Sequence, residues 1–116
     1  MKVIIAGSRS YFNYSFIKEH CDIILKDIAV TEIVTGAYYG VDQLGEQYAA
    51  DKGYKFTPFP ADWRAFGGAA GPMRNRKMAE YGHMLIAFPA KNSPGTQDMI
   101  NQAKNRNLII KVVQLP

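Results

Sequence analysis

The 116-residue sequence predicts a three-layer α/β domain with a five-stranded, mostly parallel sheet. Short apolar runs alternate with segments of helical spacing, giving the pattern β-α-β-α-β-α-β-α-β. The first apolar run, residues 2–6, is continuous, which is typical of a strand buried on both faces. The composition, 47% hydrophobic and 21% charged, is that of a globular chain. The sequence therefore predicts one domain over residues 1–116.

The elements follow one another without a repeat or linker. Strands are expected at residues 2–6, 32–34, 54–58, 84–88 and 108–113. Helices are expected at residues 13–28, 40–52, 72–81 and 96–105, with Thr96 as the N-cap of the last helix. Residues 59–71 are expected to form a long loop. The favoured strand order is 3-2-1-4-5 with right-handed crossovers, which is a Rossmann-like arrangement.

Loops rich in small residues follow the first, second and fourth strands. In the favoured order, the direction of winding reverses between strands 1 and 4, and ligands bind beyond the carboxyl ends of the strands at such a point. Glycine lets a backbone approach a ligand, arginine suits phosphate, and a helix N-terminus attracts anions. The loops read Gly7-Ser8-Arg9-Ser10, then Thr35-Gly36-Ala37 with Gly40-Val41-Asp42, and finally Asn92-Ser93-Pro94-Gly95-Thr96. They predict a pocket for a phosphate-bearing molecule.

The type of loop excludes two common nucleotide sites. No Gly-x-x-x-x-Gly-Lys-Ser/Thr motif occurs, so the chain has no Walker loop. Gly7 stands alone after the first strand, which argues against the Gly-x-Gly-x-x-Gly turn of an ordinary NAD dehydrogenase. The sequence also offers no cluster of metal ligands, since His20, His83 and Cys21 lack the necessary spacing and companions. We expect neither a metal nor a cofactor, and no catalytic residue is assigned.

Arg74 stands out in the second half of the chain. It lies four residues before Met78, so the two share a helix face, and an inward-facing Met78 would leave Arg74 partly buried. A buried arginine requires an anionic partner, which we expect to be Asp62, Asp42 or a ligand phosphate. Asp62 and Trp63 follow a strand end, where they could contact a base or a sugar. The alternative for Trp63, that it covers the core, stays open.

The positive charge is concentrated in one segment. The formal net charge is +4, and residues 63–79 contain four basic residues and no acid, namely Arg64, Arg74, Arg76 and Lys77. This excess indicates an anionic partner, or alternatively a solvated helix face.

One cysteine and the lack of a signal peptide favour the cytoplasm. No apolar run approaches the roughly 20 residues of a membrane span. Exposed aromatics at Tyr38 and Tyr39 leave a homo-oligomer open.

Together these motifs resemble the YspA-like, cpYpsA-related branch of the SLOG superfamily. The resemblance rests on the three small-residue loops, on Pro60-Ala61-Asp62-Trp63, and on Gly71-Pro72-Met73-Arg74-Asn75 with Met78-Ala79. It implies a Rossmann-like fold that binds or senses nucleotide-derived ligands in small bacterial and phage proteins. The expected ligand-binding residues are Gly7, Ser8, Arg9, Thr35, Gly36, Asp42, Asp62, Trp63, Arg74, Asn75, Ser93, Gly95 and Thr96.

Two groups of relatives define the alternative functions. The LOG phosphoribohydrolases are similar in carrying an arginine ahead of a methionine, but their catalytic glutamate corresponds to Met99 here. Asp98 is adjacent, and on an ideal helix it would point about 100° away. An N-glycosidic hydrolase would therefore need Asp62, Asp42 or Asp98 in place of that glutamate. The DprA-like proteins bind single-stranded DNA, and the basic segment with Trp63, Phe66 and Tyr81 would suit such a partner.

Overall fold

The computed structural model describes residues 1–116, which form a three-layer α/β fold around one sheet. Its five strands are β1 (Lys2–Gly7), β2 (Glu32–Thr35), β3 (Lys55–Pro58), β4 (Met84–Phe88) and β5 (Ile109–Val112). All neighbouring strands pair in parallel, in the order β3-β2-β1-β4-β5. The predicted fold class and strand order are confirmed.

Helices connect each strand to the next. They are α1 (Tyr14–Ile24), α2 (Val41–Lys52), a single-turn α3 (Trp63–Phe66) continued by a 3-10 turn (Gly67–Ala69), α4 (Ala70–Tyr81) and α5 (Pro94–Asn105). None of these helices combines the length and the apolar character that crossing a membrane requires.

The sheet separates two apolar cores because alternate residues of a strand face opposite sides. Val3 and Ile5 of β1 belong to the core shared with α1 and α2, which also includes Cys21 and Tyr48. Ile4 belongs to the opposite core, beneath α4 and α5, together with Met78, Leu85, Met99 and Ile100. Met78 is buried, which is the condition under which partial burial of Arg74 was expected. Both faces of the sheet are therefore covered, as continuous apolar strands require.

Several predicted boundaries were wrong. Helix α1 ends at Ile24 and not at residue 28, and Leu25 donates its N–H to the Cys21 carbonyl at the helix end. Residues 59–71 are not a loop throughout, because Asp62 accepts a hydrogen bond from the Ala65 N–H at 3.0 Å and starts α3. Helix α4 begins two residues early, at Ala70.

The start of α5 was also misplaced. Its N-cap is Ser93 and its first residue is Pro94, whereas Thr96 had been expected to cap it. Proline suits the first position of a helix because it has no N–H to leave unpaired and its φ is already helical. Thr96 therefore lies inside the first turn, where it is buried.

Candidate ligand-binding site

A cavity of about 660 Å³ opens at the carboxyl edge of the sheet, beyond the ends of β1 and β4. This volume is in the range of small-molecule pockets. Residues from all three small-residue loops contribute to its wall. Ten of the thirteen residues expected to bind a ligand line it: Gly7, Ser8, Arg9, Asp42, Trp63, Arg74, Asn75, Ser93, Gly95 and Thr96.

The other three expected residues serve the local structure. Thr35 is fully buried, and its hydroxyl accepts a hydrogen bond from the Ala37 N–H at 3.2 Å. Asp62 caps α3 and lies outside the cavity wall. Gly36 lies behind the wall, where its carbonyl accepts a hydrogen bond from Arg74.

Main-chain hydrogen bonds hold the first loop in place. The Ser8 N–H donates to the Phe88 carbonyl at 3.1 Å, and the Val41 N–H donates to the Ser8 carbonyl at 3.0 Å. Gly7 is required by close packing, since a Cβ there would lie 2.5 Å from the Phe88 carbonyl oxygen. Gly40 has a φ of 71° and lies directly against the Ser8–Arg9 backbone. These contacts fix the Ser8 and Arg9 backbone at the mouth of the cavity.

Arg74 is held by neutral groups. One of its Nη1 hydrogens is donated to the Gly36 carbonyl at 2.6 Å, and its Nε–H to Asn75 Oδ1 at 3.0 Å. None of the five salt bridges includes it, so neither Asp42 nor Asp62 is in direct contact with the guanidinium, although the Asp42 charge lies near enough to favour its charged form. Burial lowers the pKa of the guanidinium. Arg74 thus brings a positive charge into the cavity wall without a carboxylate in contact.

Gly36 makes room for this guanidinium. A Cβ on Gly36 would come within 2.4 Å of Arg74 Nη1 and 2.9 Å of Asp42 Oδ2. The small residue after β2 therefore allows the Arg74 guanidinium to take this position.

Asn75 connects the elements on both sides of the cavity. Its side-chain oxygen accepts from Arg74, while its amide nitrogen donates to the Gly95 carbonyl at 3.2 Å and to Asp98 Oδ2 at 2.9 Å. The residue is only 5% exposed. Its amide links the middle of α4 to the first turn of α5, which fixes Arg74 relative to Gly95 and Asp98.

Asp42 is a buried carboxylate in the first turn of α2. It is 8% exposed and accepts a hydrogen bond from the Tyr38 N–H at 3.2 Å. Burial raises its pKa from 3.8 to about 6, although the nearby Arg74 charge and the backbone hydrogen bonds oppose the rise. The cavity therefore contains a carboxyl group whose charge changes in the mildly acidic range.

The N-terminus of α5 forms the opposite side of the cavity. Pro94 has no N–H, and the Ser93 hydroxyl accepts from the Ala90 N–H at 3.0 Å and so does not cap the helix. A Cβ on Gly95 would meet nothing within 4 Å. The first turn of α5 therefore has no side-chain cap on its N–H groups, and these are the groups that bind anions at helix N-termini.

The cavity also contains residues that the sequence did not assign to the ligand. Asp98 lies in the wall together with Met99, so both of these neighbouring helical positions reach the cavity. Tyr38 and Tyr39 lie at the mouth, although they had been considered only for an interface. The remaining lining residues are Ala6, Ser10, Gly68, Gly71, Pro72, Met78, Asn92 and Pro94.

The basic segment of residues 63–79 contributes one positive charge to the cavity. Of its four basic side chains, only Arg74 lines the cavity. Arg76 is exposed and lies 3.6 Å from the Glu80 carboxylate, one turn further along α4. Arg64 and Lys77 lie outside the cavity wall.

Comparison with known proteins identifies the family. The model of the YspA, cpYpsA-related SLOG family matches residues 1–66, more than half of the chain. This protein belongs to that family. It is also similar to the Gene 61 protein of Mycobacterium phage D29, at 27% identity over an alignment of 114 residues; the match covers 92% of this chain and 91% of the phage protein. The family match includes the first two small-residue loops, whereas Arg74 and the α5 loop lie beyond it.

Proposed function

We propose that this SLOG protein binds a nucleotide-derived small molecule through its phosphate, as a sensor or accessory protein. The observation that carries the proposal is the fixed position of Arg74 in the cavity wall. A guanidinium has five N–H groups, and protein atoms accept from two of those of Arg74. The others are available to a ligand, and no carboxylate in contact neutralises the charge.

The surroundings of Arg74 suit a phosphate group. The uncapped first turn of α5 presents N–H groups to the same cavity, and the Ser8 and Ser10 hydroxyls and the exposed Arg9 lie along its other side. A phosphate has several acceptor oxygens, so it can pair with a guanidinium and a helix N-terminus at once. Membership of the SLOG family is consistent with a nucleotide-related ligand.

The direct test is ligand binding by the wild type and by Arg74→Met. Thermal shift and calorimetry with AMP, ADP-ribose, NAD and cyclic nucleotides are expected to give a stabilising ligand. Loss of the charged hydrogen bonds in Arg74→Met should weaken its affinity roughly ten- to a hundredfold. Arg76→Met is the matched control, because Arg76 lies on the same helix outside the cavity. Absence of binding by every probe, or equal losses in both variants, would refute the proposal.

One observation favours a second candidate function, N-glycosidic hydrolysis of a nucleoside monophosphate. The Asp98 carboxylate lies in the cavity wall and is held by the Asn75 amide at 2.9 Å. In such a reaction a carboxylate takes a proton from water, and the water oxygen bonds to C1′ of the ribose as the C1′–N bond breaks. The departing base then takes up the proton that the carboxylate accepted. Release of ribose 5-phosphate from AMP by the wild type, abolished in Asp98→Asn, is the expected result. No release at high protein concentration would exclude this function.

A further inference from the structure

Three aromatic side chains form a continuous group at the mouth of the cavity, which we call the aromatic rim: Tyr38, Tyr39 and Trp63. The ring centroids of Tyr38 and Tyr39 are 5.0 Å apart, and those of Tyr38 and Trp63 are 6.0 Å apart. These distances are typical of aromatic pairs in contact. The rim joins the loop after β2 to the segment before α4.

Core packing does not account for the rim. Tyr39 is 62% exposed and Trp63 is 45% exposed. The indole ring of Trp63 lies over Gly71, where a Cβ would come 3.1 Å from Cη2. Trp63 is therefore held from one side by Gly71 and Tyr38, and nearly half of its surface remains open. Burying such a surface against another planar ring is favourable.

The rim lies close to the proposed phosphate site. Gly71, which supports Trp63, is three residues before Arg74 on α4, which corresponds to a rise of about 4.5 Å. Tyr38 follows Gly36, whose carbonyl accepts the hydrogen bond from Arg74. If the phosphate of a nucleotide contacts Arg74, the group on the other side of its ribose would thus reach the aromatic rim.

We propose that the aromatic rim is the subsite for the nucleobase, so that the ligand is a nucleotide whose planar base stacks on Trp63 and Tyr39. The inference rests on the proposed function, because it assumes that the phosphate binds near Arg74. Tyr39 and Trp63 then determine the preference for a nucleotide over a sugar phosphate that has no base.

The test uses the intrinsic fluorescence of Trp63, which is the single tryptophan of the chain. The protein is titrated with AMP, GMP and ADP-ribose, and with ribose 5-phosphate and inorganic phosphate as probes without a base. At least one nucleotide is expected to change the Trp63 emission and to bind roughly five- to a hundredfold more tightly than ribose 5-phosphate, as base stacking on aromatic side chains predicts.

Variants separate stacking from a general effect on the loops. Tyr39→Ala, which keeps the fluorescent reporter, should weaken nucleotide binding at least about fivefold and leave the affinity for ribose 5-phosphate unchanged. Trp63→Ala, measured by calorimetry, should do the same, and Trp63→Phe should restore part of the loss. Phe66→Ala is the matched control, because Phe66 is 51% exposed on the same α3 but does not line the cavity.

The outcomes distinguish failure of the nucleobase subsite from failure of the phosphate site. If ribose 5-phosphate and nucleotides bind equally and Trp63 emission does not change, the nucleobase subsite is refuted while the phosphate site stands. Equal losses for both ligands in Tyr39→Ala refute the subsite as well. If no nucleotide, sugar phosphate or phosphate binds, both proposals are wrong.

Discussion

Replacement of Asp42 by asparagine should change how the stability of the protein depends on pH. The Asp42 carboxyl is buried, and its pKa is raised from 3.8 to about 6. The folded state therefore keeps its proton over a pH range in which the unfolded chain has already released it. As pH rises through this range the unfolded state is favoured, so stability falls.

The magnitude follows from the displacement of the pKa. One pKa unit corresponds to about 1.4 kcal/mol, so the wild type should lose about 3 kcal/mol through Asp42 over the whole titration, of which about 2 kcal/mol falls between pH 4 and pH 6. Asp42→Asn has no carboxyl group to ionise and lacks this loss. The difference in unfolding free energy, variant minus wild type, should rise by about the same amount over that range.

Urea denaturation at half-unit steps from pH 3.5 to 7.5 measures this difference. Asp22→Asn is a control of opposite sign, because hydrogen bonds from Lys52, Tyr48 and Lys18 lower the pKa of Asp22 to about 2. Stability supplied by Asp22 is present above its unfolded pKa and is lost as pH falls. A difference for Asp42→Asn that stays constant from pH 4 to 7 would refute the reasoning.

Three further predictions concern the site and the core. Gly36→Ala should displace the Arg74 guanidinium from its hydrogen-bonded position, so that affinity for the nucleotide bound by the wild type falls roughly tenfold or more. An unchanged affinity, measured by calorimetry, would contradict the role of Gly36. Asn75→Ala removes three hydrogen bonds at a buried position, so the free energy of unfolding measured with urea should fall by roughly 2–4 kcal/mol. The exposed control Asn101→Ala should lose much less. Equal losses in the two variants would count against the role of Asn75 as a link between α4 and α5. Cys21 is fully buried, and this burial raises the pKa of its thiol to about 12. The thiol should therefore react with iodoacetamide only as fast as the protein unfolds. Rapid alkylation in native buffer would disprove this.

The architecture could be predicted because it depends on periodicity. Continuous apolar strands alternating with amphipathic helices permit few arrangements, and right-handed crossovers reduce them further. The start of α5 could have been found from the Ser93-Pro94 pair, which is a common signal for an N-cap followed by a first helical residue. The single-turn α3 could not be found from periodicity, because it buries no residue.

The location of the cavity could be predicted from the sequence, but several of the contacts around it could not. The convergence of the three loops follows from topology, and the cavity lies where the reversal of strand order predicts it. The hydrogen bond from Arg74 to the Gly36 carbonyl could not be predicted, because every residue has a main-chain carbonyl and this one lies 38 residues away in the sequence. The packing roles of Gly7 and Gly36 could not be predicted for the same reason, since the protein atoms for which they make room belong to distant segments of the chain.

The segment of α3 and the following 3-10 turn has a consequence for how this fold can diversify. It forms part of the cavity wall through Trp63 and Gly68, yet contributes no residue to either apolar core. Substitutions or insertions here should cost little folding free energy, since stability resides in the sheet and the helices on it. In the proposed binding site, ligand preference and foldability are thus encoded in different stretches of the chain. Residues 62–69 can change the shape of the cavity wall while the sheet and its small-residue loops stay as they are.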